Sequence, residues 1–267
     1  MSKFSVTFDL WDTIIIDEPS KEQSRRELRC KGMFDVLHSF GLSASLSGLL
    51  QATDGSSSWL MAAWQTKKEI TTQEQAHRIA TEAVGAKLPD DPELSRRLNH
   101  AYVDPVLELP PRLNEGAKET LQGMRSRVQR LGLICNIGRS SGEVLRQLLR
   151  NLGVLDFFDV TVFSDEIGWR KPDKRIFQAA ANQMHVAIST IVHIGDHPEA
   201  DAWGAKQAGM LALLLDVPTN HYKGRDLALL WRSTSTLRES EINPDGRISS
   251  LEQALTFVDA LKLSESA

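Results

Sequence analysis

The chain has 267 residues, 41% hydrophobic and 25% charged, with a formal net charge of −4; that length and apolar content suit one large domain, or a core domain carrying a smaller one. Lys and Arg are spread along the chain, so no basic field invites nucleic acid. No apolar run reaches the ~18 residues of a membrane span, and Met1-Ser2-Lys3 leads straight into a strand-like segment, so neither a membrane span nor a leader is expected. The two cysteines, Cys30 and Cys135, fit a reducing cytoplasm better than a disulfide framework.

The first element is FSVTFDL, a run of β-formers that ends in a carboxylate, Asp9, followed by Trp11, a second acid Asp12 and Thr13. From about Glu18 to Leu107 the patterns turn helical: QSRRELRCKGMFDVLHSFG, WLMAAWQTKKEI, TQEQAHRIATEAVG and DPELSRRLNHAYVDPVLE, with no convincing strand among them. Pro105, Pro110 and Pro111 mark the end of this block, and GAKETLQGMRSRVQRLG resumes a different rhythm. Strand-like LGLICNI, DVTVFS, TIVHIGD and LALLLD then alternate with helical GEVLRQLLRNLG, DKRIFQAAANQM and EADAWGAKQAG, with helix-ending glycines at Gly153 and Gly209. Short apolar strands separated by amphipathic helices predict βαβ units, hence an α/β, doubly wound parallel sheet. Strand one belongs with that sheet, which makes the helical block an insertion lying over it: a core of 1–17 and 107–267, and an all-α cap of 18–106. The polar, turn-rich stretch 218–246 carries no clear assignment.

Chemistry in such a sheet collects at the carboxyl ends of the strands. There the sequence places Asp9, Cys135 with Asn136, Ser164 with Asp165, Lys171 just beyond, and Asp196 with Asp201 at the next helix start. Each has an ordinary reading: a strand-end Asp caps helices, and Lys-Pro and Gly-Asp pairs make turns. Three carboxylates and a lysine converging on one sheet edge are another matter, because their repulsion is costly unless a cation or substrate balances it.

FDLWDT, ICNIGRS, GWRKPDKRIF and HIGDHPEADAWGAKQAGM resemble, in order and at fitting intervals, the four motifs of the haloacid dehalogenase (HAD) superfamily, and the helical block matches the position of its C1-type cap. The resemblance implies a Rossmann-like core and a hydrolase working on a small-molecule substrate, as a monomer or homodimer. Asp9 would be the nucleophile, Lys171 would steady it, and Mg²⁺ would be held by Asp9, Asp196 and the Trp11 carbonyl, with Asp201 orienting the metal's water or capping its helix. Substrate choice would rest on the cap, where Arg25, Arg26, Arg29, Trp59 and Trp64 are candidates.

Two positions depart from the phosphatases of that superfamily. The second Asp, two residues after the nucleophile, is here Trp11, and indole neither gives nor takes a proton at neutral pH. Asp12 lies one residue too far along and reads as structural. The hydroxyl residue of motif two is here Cys135, a weak donor beside Asn136. Three readings follow. One is a Mg²⁺-dependent phosphohydrolase or phosphotransferase with atypical proton transfer. The second is a 2-haloacid dehalogenase-type hydrolase, whose relatives carry an aromatic residue at the Trp11 position but lack the acid matching Asp196. The third is a HAD-like binding protein with little turnover.

Overall fold

A computed structural model describes residues 4–217 and 237–265. Six strands form one parallel sheet: β1 (Ser5–Phe8), β4 (Leu131–Cys135), β5 (Val160–Phe163), β6 (Ile191–Gly195), β7 (Leu211–Leu215) and β8 (Gly246–Ile248), in the order β5-β4-β1-β6-β7-β8. The chain winds from β1 through β4 to β5 on one side and then returns to β6, β7 and β8 on the other, with β1 bonded to both β4 and β6. That reversal beside β1 opens a crevice at the carboxyl ends of β1, β4 and β6, where such folds bind ligands.

Period-two alternation sorts the side chains onto two apolar layers. Val6, Phe8, Leu131, Leu133 and Leu213 face α6 (Ala117–Arg125), α7 (Gly142–Asn151) and the helix Gln253–Glu265. Ile134, Val162, Ile191, Ala212 and Leu214 face α9 (Lys174–Met184) and α10 (Gly204–Ala208). The strand β8 was not legible beforehand: it is three residues long with an exposed Arg247 at its centre, so it has no hydrophobic period to read. Of the unassigned stretch 218–246, only 237–246 falls among the described residues; there Glu239–Ile242 makes one helical turn.

Between β1 and β4 the chain builds α1 (Pro19–Ser39), α2 (Leu46–Gln65), α3 (Thr72–Val84), α4 (Pro92–Val103) and the single turn α5 (Pro105–Glu108). Each boundary has a local cause. The Ser45 hydroxyl accepts from Gly48 N–H, Thr71 and Glu74 form a reciprocal capping box, and Asp91 caps α4 with Pro92 at its first position. Pro105 splits the fourth helical pattern into two helices, since it can only begin a helix. The helix α2 starts 13 residues before the WLMAAWQ pattern that announced it, because Gly48, Gly55 and the serine run mask its period.

Two short antiparallel strands, β2 (Ile15–Ile16) and β3 (Arg112–Leu113), tie the outgoing and returning chain together at the foot of these helices. On the far side, the loop after α2 pairs with the loop before Lys171: Glu69 N–H donates to Gly168 O at 3.2 Å and Arg170 N–H to Lys67 O at 2.9 Å. A buried ion pair between Arg170 and Glu69 locks this junction, and Ser164 and Trp64 also donate to Glu69. The helices are thus held over the sheet edge at two places.

Candidate active site

Asp9 follows directly on β1, and its N–H still donates to Ile194 O at 2.8 Å, which fixes the carboxylate at the mouth of the crevice. The Lys171 ammonium lies 2.5 Å from Asp9 Oδ1, 2.6 Å from Asp201 Oδ1 and 2.8 Å from Ile134 O, so its three protons have three acceptors in a buried place. Asn136 holds the lysine's main chain from both sides: its Nδ2 donates to Lys171 O at 3.0 Å and its Oδ1 accepts from Lys171 N–H at 2.7 Å.

Asp201 sits on a π-helical turn, Pro198–Trp203, a form of helix that often marks functional sites. Its Oδ2 accepts from His197 N–H at 2.9 Å, and its Oδ1 lies 3.2 Å from His193 Nε2. His193 in turn lies 2.9 Å from the Thr7 hydroxyl through Nδ1. One tautomer satisfies both contacts: Nε2 donates to Asp201 and Nδ1 accepts from Thr7. Burial pushes the His193 imidazole down, which keeps it neutral.

The carboxyl of Asp201 lies over Gly195, where a Cβ would stand 2.3 Å from its Cγ. This close approach is what the glycine of the Gly-Asp pair is for. Gly195→Ala is therefore expected to cost ~1–3 kcal/mol of stability by forcing Asp201 aside. A urea midpoint equal to that of the parent chain would show that Asp201 does not depend on this gap.

Asp9, Asp196 and Asp201 are all buried and offer oxygens within 4.8 Å of one another. Three carboxylates against one ammonium leave a formal surplus of two negative charges. The surplus appears in their acidities. Burial, joined by the charge of Asp201, pushes the Asp9 carboxyl up to about 7 against the pull of Lys171. Asp201 goes the other way: burial would raise it, but Lys171 and His193 hold it well below the usual carboxylate range. Lys171 stays charged, because Asp201 and Asp9 outweigh the burial that would discharge it. The proton drawn to Asp9 does part of the work a cation would do. All-oxygen donors with a deficit of two positive charges fit a hard dication such as Mg²⁺.

This acidic centre forms one end of a cavity of about 600 Å³, within the size range of small-molecule sites. Trp11 and Asp12 both lie on its wall. Leu10 O accepts from Ile14 N–H and Ile15 N–H, both at 2.9 Å, and Asp12, in the left-handed region at φ 61°, turns the chain between them. Asp tolerates that conformation better than most residues. Of the cap candidates, Arg25, Arg26, Arg29 and Trp64 line the cavity. Trp59 does not: it packs with Leu60, Met61 and Trp64, and the Arg78 guanidinium lies 4.3 Å from its ring centroid.

The structure brings Asp9, Trp11, Asn136, Lys171, Asp196 and Asp201 together on one wall. Cys135 lies just behind it, fully buried in the sheet layer, with its thiol donating to Asn136 O at 3.3 Å and pushed far up by burial. Ser164 and Asp165 serve the framework: the Ser164 hydroxyl accepts from Ile137 N–H and the Asp165 carboxylate from Gly142 N–H. Sequence reading missed His193, Arg139, and the Glu69 and Arg170 pair. Arg139, Arg170 and His193 each carried a signal, their places in the ICNIGRS, GWRKPDKRIF and HIGDHPEADAWGAKQAGM motifs, whereas Glu69 carried none.

The fold is thus a parallel doubly wound sheet with a buried aspartate, a lysine and two further acids at its switch point. A family model for haloacid dehalogenase-like hydrolases matches residues 5–209, and a second for HAD-hydrolase-like proteins matches 168–253. The chain belongs to the haloacid dehalogenase-like hydrolases. Haloacid dehalogenase-like hydrolase domain-containing protein 3 of Homo sapiens is 32% identical over 142 residues, 53% of this chain and 52% of that protein. The phosphoserine phosphatase of Thermus thermophilus is 31% identical over 144 residues, 54% of each. The matched stretches thus span about half the length of these curated relatives. The crystal structure of a 2-haloacid dehalogenase from Pseudomonas syringae pv. Tomato superposes with a TM-score of 0.62, covering 97% of this chain and 99% of that one, and at 22% identity speaks to the fold alone. Among the described residues, no helix is long and apolar enough to cross a membrane.

Proposed function

We propose that the chain is a Mg²⁺-dependent phosphohydrolase or phosphotransferase for a small phosphorylated molecule, working through Asp9, with the helical insertion 18–106 as its cap. The observation that carries this reading is the acidic centre itself, whose surplus of two negative charges surrounds a carboxylate that faces the cavity. Phosphatases among its relatives support it. Both cysteines are free and buried, which accords with a reducing cytoplasm.

In this reading an Asp9 oxygen attacks phosphorus, the bond to the leaving oxygen breaks, and water later cleaves the aspartyl phosphate to release phosphate and regenerate the carboxylate. Lys171 keeps Asp9 aimed and offsets charge on the phosphoryl group, and Asn136 fixes Lys171. Asp196 and Asp201 complete the site for Mg²⁺, which when bound supplies charge stabilisation to the phosphoryl oxygens. Calorimetry with Mg²⁺ on the parent chain and on Asp196→Asn tests the metal: binding by the parent is expected to weaken at least tenfold in the variant. Equal, weak binding by both would remove the metal from the proposal.

A dehalogenase reading draws on one observation, the indole of Trp11 on the cavity wall, since a halide leaves without a proton. The buried Asp196 stands against it, because a further negative charge beside the nucleophile repels an already anionic haloacid. Release of chloride from 2-chloropropionate with chelator present would favour it over the phosphate reading.

A further inference from the structure

Besides the acidic centre, the cavity wall carries Arg25, Arg26, Arg29, Arg139 and Arg170. Most cap and core arginines on its wall are neutralised: Arg25 by Asp17, Arg26 by Asp54 at 2.5 Å, and Arg170 by Glu69. Arg29 and Arg139 are not. Among the described residues, neither makes an ion pair with a carboxylate. Arg29, on α1, is only 5% exposed, and its Nε donates to Tyr102 O at 2.6 Å. Arg139, in the loop after β4, donates through Nη1 to the Tyr102 hydroxyl at 2.9 Å, with Nη2 3.4 Å from the Ser57 hydroxyl and 3.5 Å from Thr53 O.

Both arginines are built in, not draped. Tyr102 is fully buried; its ring centroid lies 4.9 Å from the Arg29 guanidinium, and its hydroxyl donates to Gln75 Oε1 at 2.8 Å. Gln75 is itself pinned by donating to Ile70 O and Gly138 O. The charged neighbours that Arg29 feels include Arg139 and Arg25, and burial with their repulsion brings it down to about 10. Glu22, the cavity-lining acid of the same helix, stands seven residues away, about 10 Å along the axis. Two buried or half-buried guanidiniums held near each other without a counter-ion are costly in the empty protein. A ligand anion would remove that cost.

We propose that Arg29 and Arg139 form a second anion site, so that the substrate carries, besides the phosphoryl group presented to Asp9, a further carboxylate or phosphate on its leaving portion. This rests on the phosphohydrolase reading, and it selects a class: small phosphate esters with two anionic ends. The planar forks suit either anion, and Ser57 can donate to it as well.

The test compares propyl phosphate with 2-carboxyethyl phosphate, which adds the carboxylate, and with ethane-1,2-diyl bisphosphate, which adds a phosphate. The parent chain is expected to favour one or both two-anion esters over propyl phosphate by tenfold or more in kcat/KM. That ratio is expected to fall toward one in Arg29→Met and in Arg139→Gln, and only part of the way in Arg29→Lys, which keeps charge but loses the fork. Arg139→Gln, at a half-buried position, keeps the test alive where Arg29→Met fails to fold. No preference in the parent, or a preference that survives in the folded variants, would overturn the site. If no ester is turned over, acetyl phosphate and an aryl phosphate, whose leaving groups need no proton, decide the phosphohydrolase reading separately, and calorimetry decides the anion site with 2-carboxyethylphosphonate against propylphosphonate. Tighter binding of the former that is lost with Arg139 upholds it; equal binding overturns it.

Discussion

Asp9→Asn is expected to abolish turnover of phosphate esters, with a loss on the order of 10⁴-fold or more in kcat, as removing a nucleophile does elsewhere. The amide keeps the size of the carboxylate and can still accept from Lys171, so the change removes nucleophilicity with little disturbance of packing. Phosphate release from acetyl phosphate and from an aryl phosphate measures it. Full activity in the variant would place the chemistry on another group. The same substitution carries a stability signature with a fixed sign. The Asp9 carboxyl is raised from 3.8 to about 7, so between those values the native chain binds a proton that the unfolded chain has released. Stability then falls as pH rises from about 4 to about 7, and the cost is complete above 7. Asparagine has no such titration. Against the parent chain, Asp9→Asn should therefore gain relative stability between pH 5 and pH 8 in metal-free buffer. Melting curves that shift in parallel across that range would mean Asp9 titrates normally.

The chain's alternation of short apolar runs and amphipathic helices made five of the six sheet strands legible, because a buried parallel strand has no other composition to adopt. The acids and the lysine were legible for a related reason: Asp9, Lys171, Asp196 and Asp201 each stand at or just past a strand end, so the topology alone gathers them. What the sequence hid are contacts with no local period. Asn136 acts through the main chain of Lys171, 35 residues away, and Glu69 meets Arg170 across 101 residues. His193 lies within a strand, where it reads as one more residue of a buried run until Thr7 and Asp201 are seen on either side. Trp59 shows the opposite case: an aromatic on a cap helix can serve the substrate side or the cap core, and helical phase turns this one into the cap's own packing.

Trp11→Asp is expected to restore a missing acid and base. Trp11 is on the cavity wall two residues beyond Asp9, with the chain turned by the left-handed Asp12 immediately after it. With indole there, Asp9 can attack a phosphate whose leaving group needs no proton, but no side chain at that place activates the water that must cleave the aspartyl phosphate. The intermediate should persist, visible as a burst of leaving group ahead of slow phosphate release. A carboxyl at position 11 supplies both transfers, and such help amounts to about 10²–10⁴ in rate. Hydrolysis of propyl phosphate should rise more than that of acetyl phosphate or an aryl phosphate, because only the alkoxide must be protonated as it leaves. Asp12 sharpens the comparison, since it is buried, lies on the same wall and differs in backbone conformation. If Trp11→Asp, folded and still binding Mg²⁺, accelerates none of the three phosphates, position 11 is not the place of proton transfer. Asp12→Asn should then abolish whatever alkyl phosphate hydrolysis the parent chain possesses. A dehalogenase would gain nothing from Trp11→Asp, because its leaving halide accepts no proton, so unchanged chloride release beside faster phosphate release assigns the site to phosphorus.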